Sequence, residues 1–267
     1  MKRFNKNVNH SYFDAIDTER KAYFLGLIYA DGSIVQSYSK DKKQRQKQLC
    51  IALQEEDKYL LEELCKDIKP KKTINVAYPP NIKTRNWKKR AVFKVSSDQI
   101  CEALINMGCI QKKSQLGMKY PALPNHLQQH FIRGFFDGDG CIYVREVKNR
   151  YKRTKTYKIS NPFKRKLQKR AQFISTSKDF LENCFLEMNK ALNLKGKVHW
   201  RAVTKKQTAY KMTIEHQEDV ASVKHFFYSE ATIYMIRKKQ KFDMTISSQA
   251  TQGCVEGSTT NSIPLEQ

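Results

Sequence analysis

Acid is what this chain most lacks. Its 267 residues hold 26 Asp and Glu against 50 Lys and Arg, a formal net charge of +24. Such an excess repels itself and destabilises the compact state unless a polyanion compensates it. The sequence also lacks any run of the roughly 18 apolar residues that suggests a membrane span, so nucleic acid, not a membrane, is the expected partner. No C-x-x-C pair occurs among the seven cysteines, at positions 50, 65, 101, 109, 141, 184 and 254. They stand mostly among apolar residues, which implies free thiols in a reducing intracellular compartment, a bacterial or phage cytoplasm or an organelle matrix. The opening segment MKRFNKNVNHSYFD has no apolar secretory core and no Ser/Arg-rich amphipathic character. Hydrophobic residues nevertheless make up 40% of the chain. That is enough for a real core and excludes wholesale disorder.

What is present begins with a repeat. FLGLIYADGS runs from Phe24 to Ser33 and IRGFFDGDGC from Ile132 to Cys141, placing Asp31 and Asp139 108 residues apart. A period that long means duplicated domains, since solenoid repeats are about 20–50 residues. The segments after each copy agree. After Gly32 come SIVQSY, a basic loop, QLCIALQ, an amphipathic helix near Glu56–Ile68, TINVAYP, a basic loop, AVFKVSS and a helix near Asp98–Met107. After Gly140 come CIYVREV, a long basic loop, AQFISTS, a helix near Lys178–Leu192, GKVHWRAV, a turn, TAYKMTI and helices near Glu218–Phe227 and Ala231–Phe242. The expected class is therefore α+β, with two halves of helix–strand–strand–helix–strand–strand–helix. The expected divisions are an N-terminal extension over 1–17, domains over 18–120 and 126–246, a linker over 121–125, and a disordered polar tail over 247–267. Asn125, after the prolines of KYPALPN, is the expected N-cap of the second motif helix.

The charge is segregated by element. Pro70–Lys94 holds eight Lys and Arg and no acid, Val147–Arg170 eleven and none, Lys195–Lys211 six and none, and Gln36–Gln48 five against Asp41 alone. These are the strand-to-strand connections, whereas the acids gather on helices. Two antiparallel sheets with positive hairpins fit DNA, whose major groove admits a two-stranded ribbon. The expected DNA contacts in the first half are Lys40, Lys42, Lys43, Arg45 and Lys47, then Arg85, Trp87, Lys88, Lys89 and Arg90. In the second half they are Arg145, Lys148, Arg150, Lys152, Arg153, Lys155, Lys158 and Arg170, then Arg201, Lys205 and Lys206.

The repeated helices carry the chemistry. Thr18 is a good N-cap for the first. Gly26 and Ala30 share one helix face, as do Gly134 and Gly138. Glycine inside a helix costs about 1 kcal/mol relative to alanine, so two such faces call for a reason, and close approach of two helix backbones supplies it. If the faces meet in parallel, Asp31 and Asp139 arrive side by side. Gly32 and Gly140 are expected to stop their helices in the left-handed conformation. Each carboxylate then lies at a helix C-terminus, where the dipole disfavours an anion. A divalent cation such as Mg²⁺ relieves that conflict, with the carbonyls of Ala30 and Gly138 as further oxygen donors. Other metal and acid readings fail. The Asp137-Gly-Asp139-Gly stretch has Ile142 where an EF-hand loop needs glycine, His126 and His130 lack a third zinc ligand, and no Asp-Thr/Ser-Gly protease loop is evident.

Phe24-Leu-Gly-Leu-Ile-Tyr-Ala-Asp-Gly32 and Ile132-Arg-Gly-Phe-Phe-Asp-Gly-Asp-Gly140 together resemble the two motifs of a LAGLIDADG homing endonuclease of the monomeric type. The resemblance spans Thr18–Met244 in motif and element order. It implies an αββαββα fold per half, pseudo-twofold symmetry about the motif helices and a saddle of two sheets on DNA. It further implies metal-dependent hydrolysis of one phosphodiester per strand across a minor groove, at a long asymmetric double-stranded site, leaving 3′ overhangs. Mg²⁺ is the implied cofactor, with Mn²⁺ able to substitute. The resemblance makes Asp31 and Asp139 the metal-binding acids. The sixth motif position departs, being Tyr29 in one copy and Asp137 in the other, but it is not the essential acid. Lys113 and Lys238 match the family's basic residues, with Lys112 and Lys239 as alternative registers. Gln54 matches the polar residue that orders the attacking water, and Ser175 or Ser177 its counterpart. The alternative is a non-cleaving protein on the same scaffold, an RNA maturase acting on intron RNA or a DNA-binding regulator.

Overall fold

A computed structural model describes residues 7–38, 45–71, 74–78, 88–109, 118–148, 165–202 and 209–245. The first half runs α1 (Glu19–Asp31), β1 (Gly32–Tyr38), β2 (Arg45–Gln54), α2 (Lys58–Ile68), β3 (Asn75–Ala77), β4 (Arg90–Ser96) and α3 (Asp98–Asn106). The second runs α4 (Asn125–Asp139), β5 (Cys141–Lys148), β6 (Arg165–Ser175), α5 (Lys178–Leu192), β7 (Val198–Ala202), β8 (Tyr210–Ile214), α6 (Gln217–Tyr228) and α7 (Ile236–Asp243). Each half builds one four-stranded antiparallel sheet, ordered β1-β2-β4-β3 and β5-β6-β8-β7. Two α+β units of the same topology thus stand where the repeat predicts them.

Period-two alternation decides which face of each sheet is covered. Leu49, Ile51 and Leu53 on β2, with Ala91, Phe93 and Val95 on β4, are buried. They face the helices, leaving Gln48, Cys50, Ala52, Gln54, Lys94 and Ser96 on the open face. In the second sheet Ala171, Phe173, Met212 and Ile214 point inward, and Arg170, Gln172 and Lys211 point the other way. α1 and α4 are buried along most of their length because each packs on the other as well as on its own sheet. Residues 22–29 of α1 are buried without a break.

Several boundaries differ from the sequence pattern, each for a physical reason. The helix expected from Glu56 begins at Lys58, because Glu55–Asp57 form a 3₁₀ turn. β3 is confined to three residues pairing with Val92, Ala91 and Arg90 at the sheet edge. β6 starts at Arg165, inside the expected basic loop, because the hairpin register with β5 extends as far as Lys148 opposite Arg165. The helix expected from Ala231 starts at Ile236. The Met235 N–H, which a helix from Ala231 would pair with the Ala231 carbonyl, is taken by the Asp137 carboxylate, so that earlier start is not adopted.

Thr18 caps α1 as expected, its hydroxyl accepting from the Lys21 N–H at 3.3 Å. The cap of α4 is Pro124, not Asn125, and no side chain caps that end. Gly32 (φ −85°, ψ 152°) and Gly140 (φ −80°, ψ 164°) are extended, not left-handed. Both helices therefore stop by passing straight into a strand. The N–H groups of Gly32 and Gly140 still reach back to the carbonyls of Ile28 and Phe136.

Candidate active site and nucleic-acid interface

α1 and α4 meet backbone to backbone. A Cβ on Gly26 would stand 2.0 Å from the Phe131 carbonyl oxygen and 2.7 Å from the Phe135 nitrogen, and one on Gly134 would stand 2.0 Å from the Tyr23 carbonyl oxygen. One turn on, a Cβ at Gly138 would stand 2.3 Å from the Ala30 Cβ and 2.9 Å from an Asp31 carboxylate oxygen. The successive contacts advance in the same direction on both helices, so the pair is parallel. Asp31 therefore comes to rest against the residue that precedes Asp139.

Asp31 is half-buried and Asp139 exposed. Neither helix has a basic residue in its last turn. Two adjoining helix C-termini, each ending on a carboxylate, concentrate oxygen donors and negative potential in one place. That donor set fits a hard divalent cation. Among the described residues no group of three or more His, Cys, Asp and Glu is placed to hold a metal. His130 is otherwise engaged: the Arg133 guanidinium donates to its Nδ1 at 3.0 Å.

Lys238 reaches this end of the helix pair from α7. Its ammonium is buried and donates to the Gly140 carbonyl, next to Asp139. Burial lowers its pKa, the nearby Arg237 charge adds to this, and Asp137 and Asp31 oppose it. Lys239 instead faces away and pairs with Asp243 at 3.3 Å. Gln54 ends β2 half-buried on the open face of the sheet. Ser177 caps α5 and donates to the Met118 carbonyl, and the Ser175 hydroxyl accepts from the Ser177 N–H. Lys112 and Lys113 lie outside the described residues.

Two polar constellations beneath the site escape sequence reasoning. Arg133 is fully buried, yet its Nη2 donates to Glu19 at 2.7 Å and its Nη1 to the Phe227 carbonyl at 3.1 Å. Glu19 also accepts from the Thr232 N–H and hydroxyl. Burial pushes the Glu19 carboxyl up, but the Thr232 donors and the Arg133 charge outweigh it and hold it below its ordinary value. Asp137, the sixth motif residue, accepts from Tyr23 at 2.9 Å, Tyr228 at 2.7 Å and the Met235 N–H at 2.7 Å. Burial pushes its pKa up to about 6 against those three donors. Both sets tie the first half to the second. Glu19→Gln is expected to lose about 2 kcal/mol at pH 7, the scale of hydrogen bonds to a charged group. A depressed carboxyl stabilises the fold above its unfolded value of about 4.3, and the gain disappears as pH falls through the folded value. Urea unfolding of wild type and variant should therefore differ at neutral pH and converge only once the pH has fallen below the depressed value of the folded carboxyl; a gap that persists in stronger acid contradicts the assignment.

The expected DNA contacts divide sharply. Lys88, Lys89, Arg90, Arg145 and Arg201 are exposed, with Lys89 lying over the Tyr78 ring. Arg145 and Arg201 alternate with inward-facing neighbours and so project from the open faces. Arg170 shares the open face with Arg145 and pairs with Glu215 at 3.4 Å. Lys47 corrects the sequence expectation. It has the same strand parity as Leu49 and Ile51, so it lies on the helix side, where its ammonium pairs with Glu102 at 3.2 Å. Arg45 and Lys148 are strand residues whose side chains are not described. Lys40, Lys42, Lys43, Arg85, Trp87, Arg150, Lys152, Arg153, Lys155, Lys158, Lys205 and Lys206 lie outside the described residues. Lys94, Lys166 and Lys211, not among the expected contacts, share the open faces by strand parity.

The fold is that of the LAGLIDADG homing endonucleases. No protein-family model matches the chain, and no curated protein does. Among solved structures it is similar to the LAGLIDADG meganuclease I-CpaMI bound to uncleaved DNA, at 12% identity, TM-score 0.54, over 90% of this chain and 95% of that one. It is similar also to the I-LtrWI LAGLIDADG homing endonuclease bound to target DNA, at 16% identity, TM-score 0.50, over 96% and 100% of the two chains. A third, I-DmoI in complex with DNA and Ca, is 17% identical with TM-score 0.50, over 88% of this chain and 97% of that chain. Among the described residues no helix is long and apolar enough to cross a membrane.

Proposed function

We propose that this protein is a site-specific double-strand DNA endonuclease that hydrolyses one phosphodiester on each strand across a minor groove and leaves 3′ overhangs. What supports the reading is that two backbone-packed helices end on Asp31 and Asp139, with Asp31 against Gly138, and that each helix passes into a four-stranded sheet. Asp31 and Asp139, with the carbonyls of Ala30 and Gly138, would hold magnesium, or manganese in its place. When bound, the metal supplies a nucleophilic water near neutral pH and charge to stabilise the leaving oxygen.

The chain's own residues do the rest. Lys238, and Lys113 from the first half, neutralise charge on the pentacoordinate phosphate. Gln54 orients the attacking water through its amide. Arg90, Arg145, Arg201 and the basic hairpins hold the duplex by its phosphates and set its register. The reading includes a monomer made of domains 18–120 and 126–246. It also includes a reducing intracellular compartment, supported by six free cysteines among the described residues.

Incubation with Mg²⁺ and a randomised double-stranded library, followed by sequencing of cut ends, tests the reading. A single long asymmetric site with staggered 3′ ends is expected. No cleavage of any member, with tight binding of intron RNA instead, overturns it in favour of the maturase.

A further inference from the structure

The helix that carries Lys238 does not hold itself in place. α7 is short, and its first turn is seated by residues of the first half. The Tyr59 hydroxyl donates to the Tyr234 carbonyl at 2.9 Å and accepts from the Ile236 N–H at 2.7 Å. Arg237 donates through Nε to Asp57 at 2.8 Å and lies 3.8 Å from Glu56. Asp57 is only 2% exposed, so its carboxylate is committed to this contact. Asp57 ends the 3₁₀ turn that directly follows Gln54, and Tyr59 lies in the first turn of α2. Arg237 immediately precedes Lys238. The element that ends in the proposed water-orienting glutamine of one half therefore grips the element that presents the lysine of the other.

We propose that Asp57, Arg237 and Tyr59 are positioning residues that seat α7 across the domain boundary, so that Lys238 stands at the Gly140 carbonyl beside Asp139. The proposal rests on the endonuclease reading for its consequence but not for its geometry. Isolated lysines sample many rotamers, and a buried ammonium needs its stem directed to one acceptor. Here the direction comes from the helix start, which Asp137 of its own half holds at the Met235 N–H and which Tyr59 and Asp57 of the other half hold at Tyr234, Ile236 and Arg237. The reaction that uses Lys238 is thereby served by a site to which both halves contribute. The clamp acts on Lys238, the lysine of one half, so its loss should slow one strand more than the other.

Two measurements test this, one of which needs no cleavage. Brief acylation of the full chain with an amine-reactive ester, read by mass spectrometry, should find Lys238 protected about 10-fold or more relative to Lys239. Tyr59→Phe, which keeps the ring, and Asp57→Asn should each remove most of that protection. Persistent protection in both variants overturns the clamp whatever the protein does to DNA. On a cleaved target, single-turnover rates measured strand by strand should fall about 10–100-fold on one strand in Asp57→Asn and Arg237→Gln, the scale seen when an orienting partner is lost. DNA affinity should stay within about twofold, and Arg237→Lys should recover much of the rate. Equal slowing of both strands, or none, overturns the proposal. Absence of cleavage by the wild type counts against the endonuclease reading alone, since the labelling result stands apart from it.

Discussion

Alanine at Gly26 or Gly134 is expected to destabilise the protein by about 3 kcal/mol or more, the upper range for overpacked cores. The added Cβ would lie 2.0 Å from a carbonyl oxygen in either case. A flexible side chain could move aside, but the obstructing atoms belong to the backbone of the facing helix, so the whole helix must shift. The shift would also disturb the Arg133–Glu19 and Asp137–Tyr23 contacts that cross the same boundary. For a chain of this size the loss corresponds to a drop of about 6–12 °C in Tm. A melting point within about 2 °C of wild type would mean that the helices do not approach as described. Gly138→Ala differs in kind. Its new Cβ would meet the Ala30 methyl and the Asp31 carboxylate, both side-chain atoms. It should disturb the acid more than the fold.

Asp31→Asn and Asp139→Asn are expected each to reduce double-strand cleavage by at least about 100-fold while DNA affinity changes little. Loss of one partner that only orients a metal ligand already costs about 10–100-fold, and loss of the ligand itself should exceed that. Asparagine keeps the shape and one oxygen but not the charge, so a metal held between the two helix ends loses half its side-chain charge. On the proposed reading, affinity for the duplex would come mainly from phosphate contacts on the sheets and their connections, which neither substitution touches. Gel shift and single-turnover cleavage on one target separate the two effects. Full cutting by both variants would remove the acids from the mechanism.

The parts of this molecule that were legible in its sequence are those written as a period. The 108-residue repeat announces two halves, and the four-residue spacing of Gly26 and Ala30 announces a contact face that the Gly138 and Phe131 neighbours of α1 bear out. Alternation announced the strands. What stayed hidden depends on partners that no local pattern couples. Glu19 meets Thr232 across 213 positions and Asp57 meets Arg237 across 180. Arg133 reads as an intruder in an apolar helix until its carboxylate and carbonyl partners are seen. Lys47 was misplaced because counting charge along a hairpin ignores that one residue of register turns a side chain to the other face. The choice between Lys238 and Lys239 likewise rests on burial, which two adjacent lysines cannot advertise.

The backbone contact between α1 and α4 has one consequence for how such a protein could acquire new targets. Because carbonyls and glycines set that contact, the separation of Asp31 from Asp139 is a fixed gauge built into the scaffold. The residues proposed to hold the duplex stand on open strands and the connections between them, which can change without touching it. On the proposed reaction, the gauge dictates the stagger between the two cuts. Variants retrained to different sites should therefore all leave ends of the same length.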